Sequence, residues 1–89
     1  MPYSLTYTNR FQKRYKKLTA LEKAQLLRKL TLLVNNPSHP SLRTKRIQGT
    51  DTLFECSVNM DIRIIWCFDQ NVIIILMDVG HHDILKRFS

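Results

Sequence analysis

The sequence predicts an α+β fold: an N-terminal strand and a two-helix hairpin packed on a mainly antiparallel sheet, in the order β-α-α-β-β-β with a short carboxyl-terminal helix or tail. Three observations carry this. Apolar and polar residues alternate over residues 2–8, leucines recur at helical spacing behind a helix-start signal at Thr19, and residues 53–79 are apolar strand sequence cut by turn residues. The 89 residues form one domain, residues 1–89, too small to split and large enough for a single modest core.

Tyr3, Leu5 and Tyr7 alternate with Ser4, Thr6 and Thr8, the pattern of a half-buried strand. Asn9 is the N-cap expected for a short helix in which Phe11, Tyr15 and Leu18 share one face. Thr19-Ala20-Leu21-Glu22 matches a capping box, so a second helix starts afresh there. Leu26, Leu30 and Leu33, flanked by Leu27 and Val34, form its apolar stripe, and Asn35-Asn36-Pro37 ends it. Residues 35–41, with Pro37 and Pro40, form a loop. A short basic strand follows over residues 43–48, and Gly49-Thr50-Asp51 is a turn. Residues 53–58 and 62–68 then pair as a hairpin turning at Asn59-Met60. A tight turn at Asp69-Gln70-Asn71 leads into residues 72–79, apolar enough for an interior strand covered on both faces.

The formal net charge is +7, from 14 Lys and Arg against 7 Asp and Glu. It favours a nucleic acid or an acidic protein as partner over a neutral metabolite. Residues 10–29 are densely basic with Glu22 as their single acid, and Arg43, Lys45 and Arg46 add a second cluster. Cys56 and Cys67 show no metal-ligand spacing. The hairpin turn sets Cys56 opposite Arg63 and not opposite Cys67, so both are expected as free, buried thiols. The chain carries two glycines and no glycine-rich phosphate loop, which excludes nucleotide hydrolysis of the P-loop kind. No metal, cofactor or small-molecule ligand is expected. Neither a signal pattern nor a membrane-spanning run is evident, and a cytoplasmic protein is expected.

Period-two alternation turns Ile62, Ile64, Trp66 and Phe68 toward the helices and Asp61, Arg63, Ile65 and Cys67 toward the other face. Glu55, Ser57 and Asn59 of the preceding strand share that second face. Lys45 or Arg46 joins them from the neighbouring strand, and His82 from the rim behind Gly80. Metal-free RNA cleavage needs proton transfer at the 2′-hydroxyl and 5′-oxygen, and positive charge where the phosphorane builds up. His82 suits the first task and Arg63 the second. The plain alternatives are a solvated surface His82, and an Arg63 that pairs with Asp61, Glu55 or a partner protein or lies on a solvated strand face.

Taken together, Phe11-Gln12-Lys13-Arg14-Tyr15, Lys45-Arg46-Ile47-Gln48-Gly49, Phe54-Glu55, Asp61-Ile62-Arg63-Ile64-Ile65-Trp66 and Val79-Gly80-His81-His82-Asp83-Ile84-Leu85 resemble the RelE/ParE superfamily of toxin–antitoxin toxins, nearest its RelE/YafQ branch. The likeness runs in order along nearly the whole chain. It implies a RelE-like fold and a messenger RNA interferase. His82 falls where YafQ-like toxins carry a catalytic histidine, Arg63 matches the strand arginine of RelE at the scissile phosphate, and Asp61 matches an active-site aspartate of YafQ-like toxins. Lys45 or Arg46 lies near the first histidine of that branch. The resemblance implies RNA contacts from Lys45, Arg46, Arg43, His81, Lys86, Arg87 and Phe88. Phe88 stands near the carboxyl-terminal tyrosine of RelE without its hydroxyl, and Ser57 stands where YafQ has a histidine and RelE a lysine.

The function so implied is that of a ribosome-dependent endoribonuclease cutting messenger RNA by metal-independent 2′-hydroxyl attack and inhibiting translation. Its partners are a cognate antitoxin and messenger RNA on the ribosome, with ribosomal RNA contacts. The competing functions are a ParE-like DNA gyrase inhibitor without catalysis, and a degenerate toxin that only binds its antitoxin.

Overall fold

The computed structural model describes residues 3–81 and Ile84. Along the chain come β1 (Ser4–Tyr7), α1 (Asn9–Lys16), α2 (Ala20–Asn35), a 3-10 turn (Pro40–Leu42), β2 (Lys45–Arg46), β3 (Phe54–Ser57), β4 (Ile62–Asp69) and β5 (Ile73–His81). The strands form one sheet in the order β1-β5-β4-β3-β2. β1 runs parallel to β5 because the helical hairpin carries the chain across a face of the sheet, whereas β2 to β5 pair antiparallel with their neighbours. The α+β architecture is that predicted from the sequence, but four strands follow the helices where the predicted order has three, the short β2 pairing beside β3 at the sheet edge. The expected carboxyl-terminal helix or tail lies, Ile84 apart, outside the described residues.

Local chemistry explains the boundaries. The capping box forms as predicted: Thr19 Oγ1 accepts from Glu22 N at 3.1 Å, and Thr19 N donates to Glu22 Oε1 at 2.8 Å. For α1 the cap is Thr8, not Asn9. Thr8 Oγ1 accepts from Phe11 N, and Asn9 is already helical. The basic strand shrinks to Lys45–Arg46, because Arg43 leaves the 3-10 turn in a left-handed conformation, φ 51° and ψ 46°. That backbone costs a non-glycine residue about 1–3 kcal/mol. Gln70 and Asn71, with φ of 56° and 62°, make the tight turn between β4 and β5.

The main core lies between helices and sheet. Phe11, Leu26, Leu30 and Leu33 meet Ile62, Ile64, Trp66, Ile74, Leu76 and Val79. Phe54, Trp66 and Phe68 extend it as an aromatic cluster, with centroids 4.9 Å apart for Phe54–Trp66 and 5.0 Å for Trp66–Phe68. Each fully buried side chain of this size contributes about 1.5–3 kcal/mol of apolar transfer.

Two corrections concern the sheet. The β3–β4 register sets Cys56 against Ile64 and Ser57 against Arg63, one residue away from the expected pairing. The second face is also less polar than the alternation implied. Ile47, Ile65 and Ile84, flanked by Leu53 and Met77, bury one another there as a separate small core. Alternation sorts residues between faces without saying which faces find cover.

A β-bulge organises the centre of the sheet. Ile65 pairs with Asp78 and the next residue, Trp66, with Leu76, so Met77 has no partner. The extra residue switches the phase of β5. Ile74 and Leu76 face the helices before it and Val79 after it, which turns Asp78 and Gly80 to the side of Ile65 and Arg63. Thr8 Oγ1 lies 3.0 Å from Leu76 O and 2.9 Å from Met77 O, and Thr8 N donates to Leu76 O at 3.1 Å. The cap residue of α1 therefore also satisfies the carbonyls that the bulge exposes.

Both cysteines are free. Burial pushes the Cys56 thiol up to about 12, with the neighbouring Trp66 indole opposing the shift, although Trp66 Nε1 finds no partner at hydrogen-bonding geometry. Burial and then the nearby Asp69 carboxylate push Cys67 upward too. In the unfolded chain the thiol ionises near 9.0, so above that pH the unfolded state binds fewer protons than the native one. The stability contributed by Cys56 is therefore present below pH 9 and lost between 9 and 12. Urea melts should show stability falling from pH 9 to pH 11, with a shallower fall in Cys56→Ala. An identical fall in that variant would assign the effect to other groups. Iodoacetamide at pH 8 should label half-buried Cys67 and spare Cys56 until the chain is unfolded.

Candidate functional site

The register defines two transverse rows on the sheet face that carries Arg63. Ser57, Arg63 and Gly80 lie side by side on β3, β4 and β5, and Lys45, Glu55, Ile65 and Asp78 lie side by side on β2 to β5. Arg63 itself is half-buried. Its Nη1 donates to Asn59 O at 2.7 Å, Met60 O at 3.1 Å and Ile62 O at 3.2 Å. The turn supplying those carbonyls is itself fixed, because Asn59 Oδ1 accepts from the backbone N–H of Asp61 and Ile62, both at 2.8 Å, and Asn59 Nδ2 donates to Gln25 Oε1 at 2.8 Å. The guanidinium is thus held in place while its Nη2 and Nε donors bond no other described residue. It opens on a groove of about 320 Å³, lined by Lys29, Ser41, Arg43, Ser57, Asn59 and Met60 among others, with no carboxylate among the described lining residues.

Arg63 pairs with neither Asp61 nor Glu55, since among the described residues the ion pairs are those of Asp78 with Arg10 and Arg14. Asp61 stands exposed in the β3–β4 turn. Of the Lys45/Arg46 pair, only Lys45 shares the face of Arg63. Its cross-strand neighbour is Glu55, a carboxylate that partly offsets its charge. Arg46 is opposite Phe54 and turns to the helix side, its guanidinium carbon 5.9 Å from the Phe54 ring centroid. His81 is exposed but pairs with Ile62, so the register sets it on the helix side, away from Arg63. These placements separate Arg46 and His81 from the site predicted for them, because residues opposite one another in a ladder share a face. His82, Lys86, Arg87 and Phe88 lie outside the described residues.

Asp78 escaped the sequence reading. It is fully buried, accepts from Arg10 Nε at 3.0 Å and from Val79 N at 2.8 Å, and has Arg14 Nε at 3.9 Å. Arg10 and Arg14, one helical turn apart on α1, reach β5 beyond the end of β1, whose last partner is Leu76. A lone carboxylate inside the apolar run 72–79 was the available signal, since a buried charge requires a cation. Close by, a Cβ on Gly80 would stand 2.8 Å from Ile84 Cγ2, so glycine there lets Ile84 settle against the sheet.

The larger concavity, about 430 Å³, lies away from this face, between the helices. It is lined by Tyr7, Phe11, Tyr15, Leu27 and Leu30 with Gln12 and Lys16, and is mostly apolar. Arg63 lies in the smaller, polar groove instead.

The fold recurs in solved structures. The E. coli DinJ–YafQ toxin–antitoxin complex matches at a TM-score of 0.77 and 20% identity, covering 96% of this chain and 98% of that chain. The chain has the RelE-like toxin fold. A mutant of the E. coli toxin RelE in the free state matches at 0.77 and 21% identity over 100% of this chain and 93% of that one. The archaeal RelE–RelB complex from Pyrococcus horikoshii OT3 matches at 0.76 and 16% identity over 91% and 96%. No family model matches the sequence, and no curated protein matches it. Within this RelE-like fold, a rigidly held guanidinium on a cationic surface can bind a phosphodiester and neutralise charge developing on it. None of the described helices is long and apolar enough to cross a membrane.

Proposed function

We propose that this protein is the toxin of a type II toxin–antitoxin pair and acts as a ribosome-dependent, metal-independent endoribonuclease on messenger RNA. The observation that carries this is Arg63, held by turn carbonyls at the mouth of a groove whose described lining is cationic and polar, in a RelE-like fold. In the reaction the 2′-oxygen forms a bond to phosphorus as the bond from phosphorus to the 5′-oxygen breaks. The 2′-hydroxyl gives up a proton, and the leaving 5′-oxygen takes one. The products are a 2′,3′-cyclic phosphate and a 5′-hydroxyl. Arg63 neutralises the phosphorane, His82 transfers the protons, and Asp61 supports it from the turn. Lys45, Arg43, Lys86 and Arg87 hold the backbone, and Phe88 stacks on a base.

Induced expression followed by mapping of message 5′ ends tests the proposal. In-frame cuts with 5′-hydroxyl ends support it. Intact messages with stalled gyrase replace it with the inhibitor. His82→Ala should abolish growth arrest in a protein that still folds, as judged by circular dichroism, and full toxicity of that variant would end the histidine mechanism. The antitoxin should present an acidic or amphipathic segment to the basic surface and raise the melting temperature on binding.

A further inference from the structure

Beside the cleavage site, we infer that Lys29 and Arg43 form, next to Arg63, a phosphate-binding subsite that holds the RNA backbone at the β3 edge of the sheet. This rests on the endoribonuclease reading for its substrate and on separate observations for its existence. The three cations come from elements far apart in sequence, α2, the loop after the 3-10 turn, and β4, yet they line one groove of about 320 Å³. The rest of the lining named above supplies hydroxyl and amide groups from Ser41, Ser57 and Asn59, and among the described residues no lining carboxylate offsets the charge. Such a set suits a phosphodiester with its non-bridging oxygens and neighbouring sugar.

Each cation is positioned by structure and not by chance exposure. Lys29 is half-buried and its Nζ donates to Ser41 O at 3.1 Å, tying α2 to the loop across the groove. Arg43 holds a left-handed backbone, φ 51°, immediately after the 3-10 turn, with its N–H donating to Pro40 O at 3.2 Å. This cap turns the chain sharply out of the 3-10 turn and sets Arg43 in the groove lining. Arg63 is fixed by the β3–β4 turn. The edge is open here because β2 pairs only with Phe54 and Glu55, leaving Ser57 beyond its end. A strand of RNA crossing the sheet face at Arg63 thus has a cationic exit at this rim.

The test uses the full chain and a short fluorescein-labelled RNA whose riboses are 2′-O-methylated, so that it binds without cleavage. Lys29→Met keeps the aliphatic stem, Arg43→Asn tolerates the left-handed backbone, and Arg28→Gln removes an exposed charge from the same helix outside the groove. Anisotropy titrations across a salt series should show Lys29→Met and Arg43→Asn each weakening binding about tenfold at low salt. Each should also flatten the slope of log affinity against log salt by about 0.7, the value for one lost phosphate on a single strand. Arg28→Gln should match the parent protein. Unchanged slopes in both groove variants, or an equal loss in Arg28→Gln, overturn the subsite. Groove variants that retain RNA affinity but lose the product of an adjacent small reading frame assign the groove to protein carboxylates and also overturn it. Message cleavage in a translation extract is scored separately. A parent protein that cuts nothing while the groove-dependent slope persists loses the nuclease reading and keeps the subsite.

Discussion

Replacing Arg63 by alanine is expected to lower message cleavage by about 10²–10³-fold, the usual loss when one preorganised charge-stabilising group is removed. Arg63→Lys should recover only part of that loss, because an ammonium offers a point charge where a guanidinium offers a fork. The structure adds a second consequence. Arg63 Nη1 bonds Asn59 O and Met60 O across the β3–β4 turn, so Arg63→Ala should also destabilise the fold by about 1.5–3 kcal/mol, the range for a hydrogen bond from a charged donor. Cleavage must therefore be measured well below the variant's melting temperature, with circular dichroism confirming a folded protein. Equal cleavage by the alanine and lysine variants would mean that Arg63 acts only as diffuse charge. A full loss of cleavage in both, with unchanged stability, would mean that the turn contacts are incidental.

The second large effect is asymmetric. Asp78 is fully buried, whereas the Arg10 and Arg14 side chains are 51% and 30% exposed. Arg10→Met combined with Arg14→Met strands a buried carboxylate with Val79 N as its one remaining donor among the described residues. The expected cost is about 3 kcal/mol, the low end of the range for a broken buried pair, since water already reaches the arginines. Asp78→Asn leaves two guanidiniums that can turn to solvent and keeps an oxygen for Val79 N, so its cost should be about 1–2 kcal/mol. In a domain of this size the double arginine variant should lose roughly 12–24 °C in melting temperature. Urea denaturation at pH 7 orders the two variants, and the reverse order would show that the fold tolerates Asp78 without its cations.

The elements of this protein were legible because their signals are local. The Thr19 capping box, the leucine spacing of α2, the alternation in β1 and β4, and the Gln70-Asn71 turn each depend on residues within a few positions. Arg63 on the face away from the helices followed from the same alternation. What only the tertiary structure decided depends on pairing between distant segments. Lys45, and not Arg46, shares the face of Arg63 because β2 pairs Lys45 with Glu55. His81 falls on the opposite side because β5 pairs it with Ile62. The bulge at Met77 was invisible because the run 72–79 is apolar almost throughout, so a change of phase within it alters no pattern. The second core of Ile47, Ile65 and Ile84, the Asp78 ion pairs with α1, and the Lys29–Arg43–Arg63 groove each join residues far apart in the chain. Periodicity fixes which way a side chain points from its own backbone, but register and crossing geometry set what it meets, and those are fixed only when the whole sheet closes against the helices.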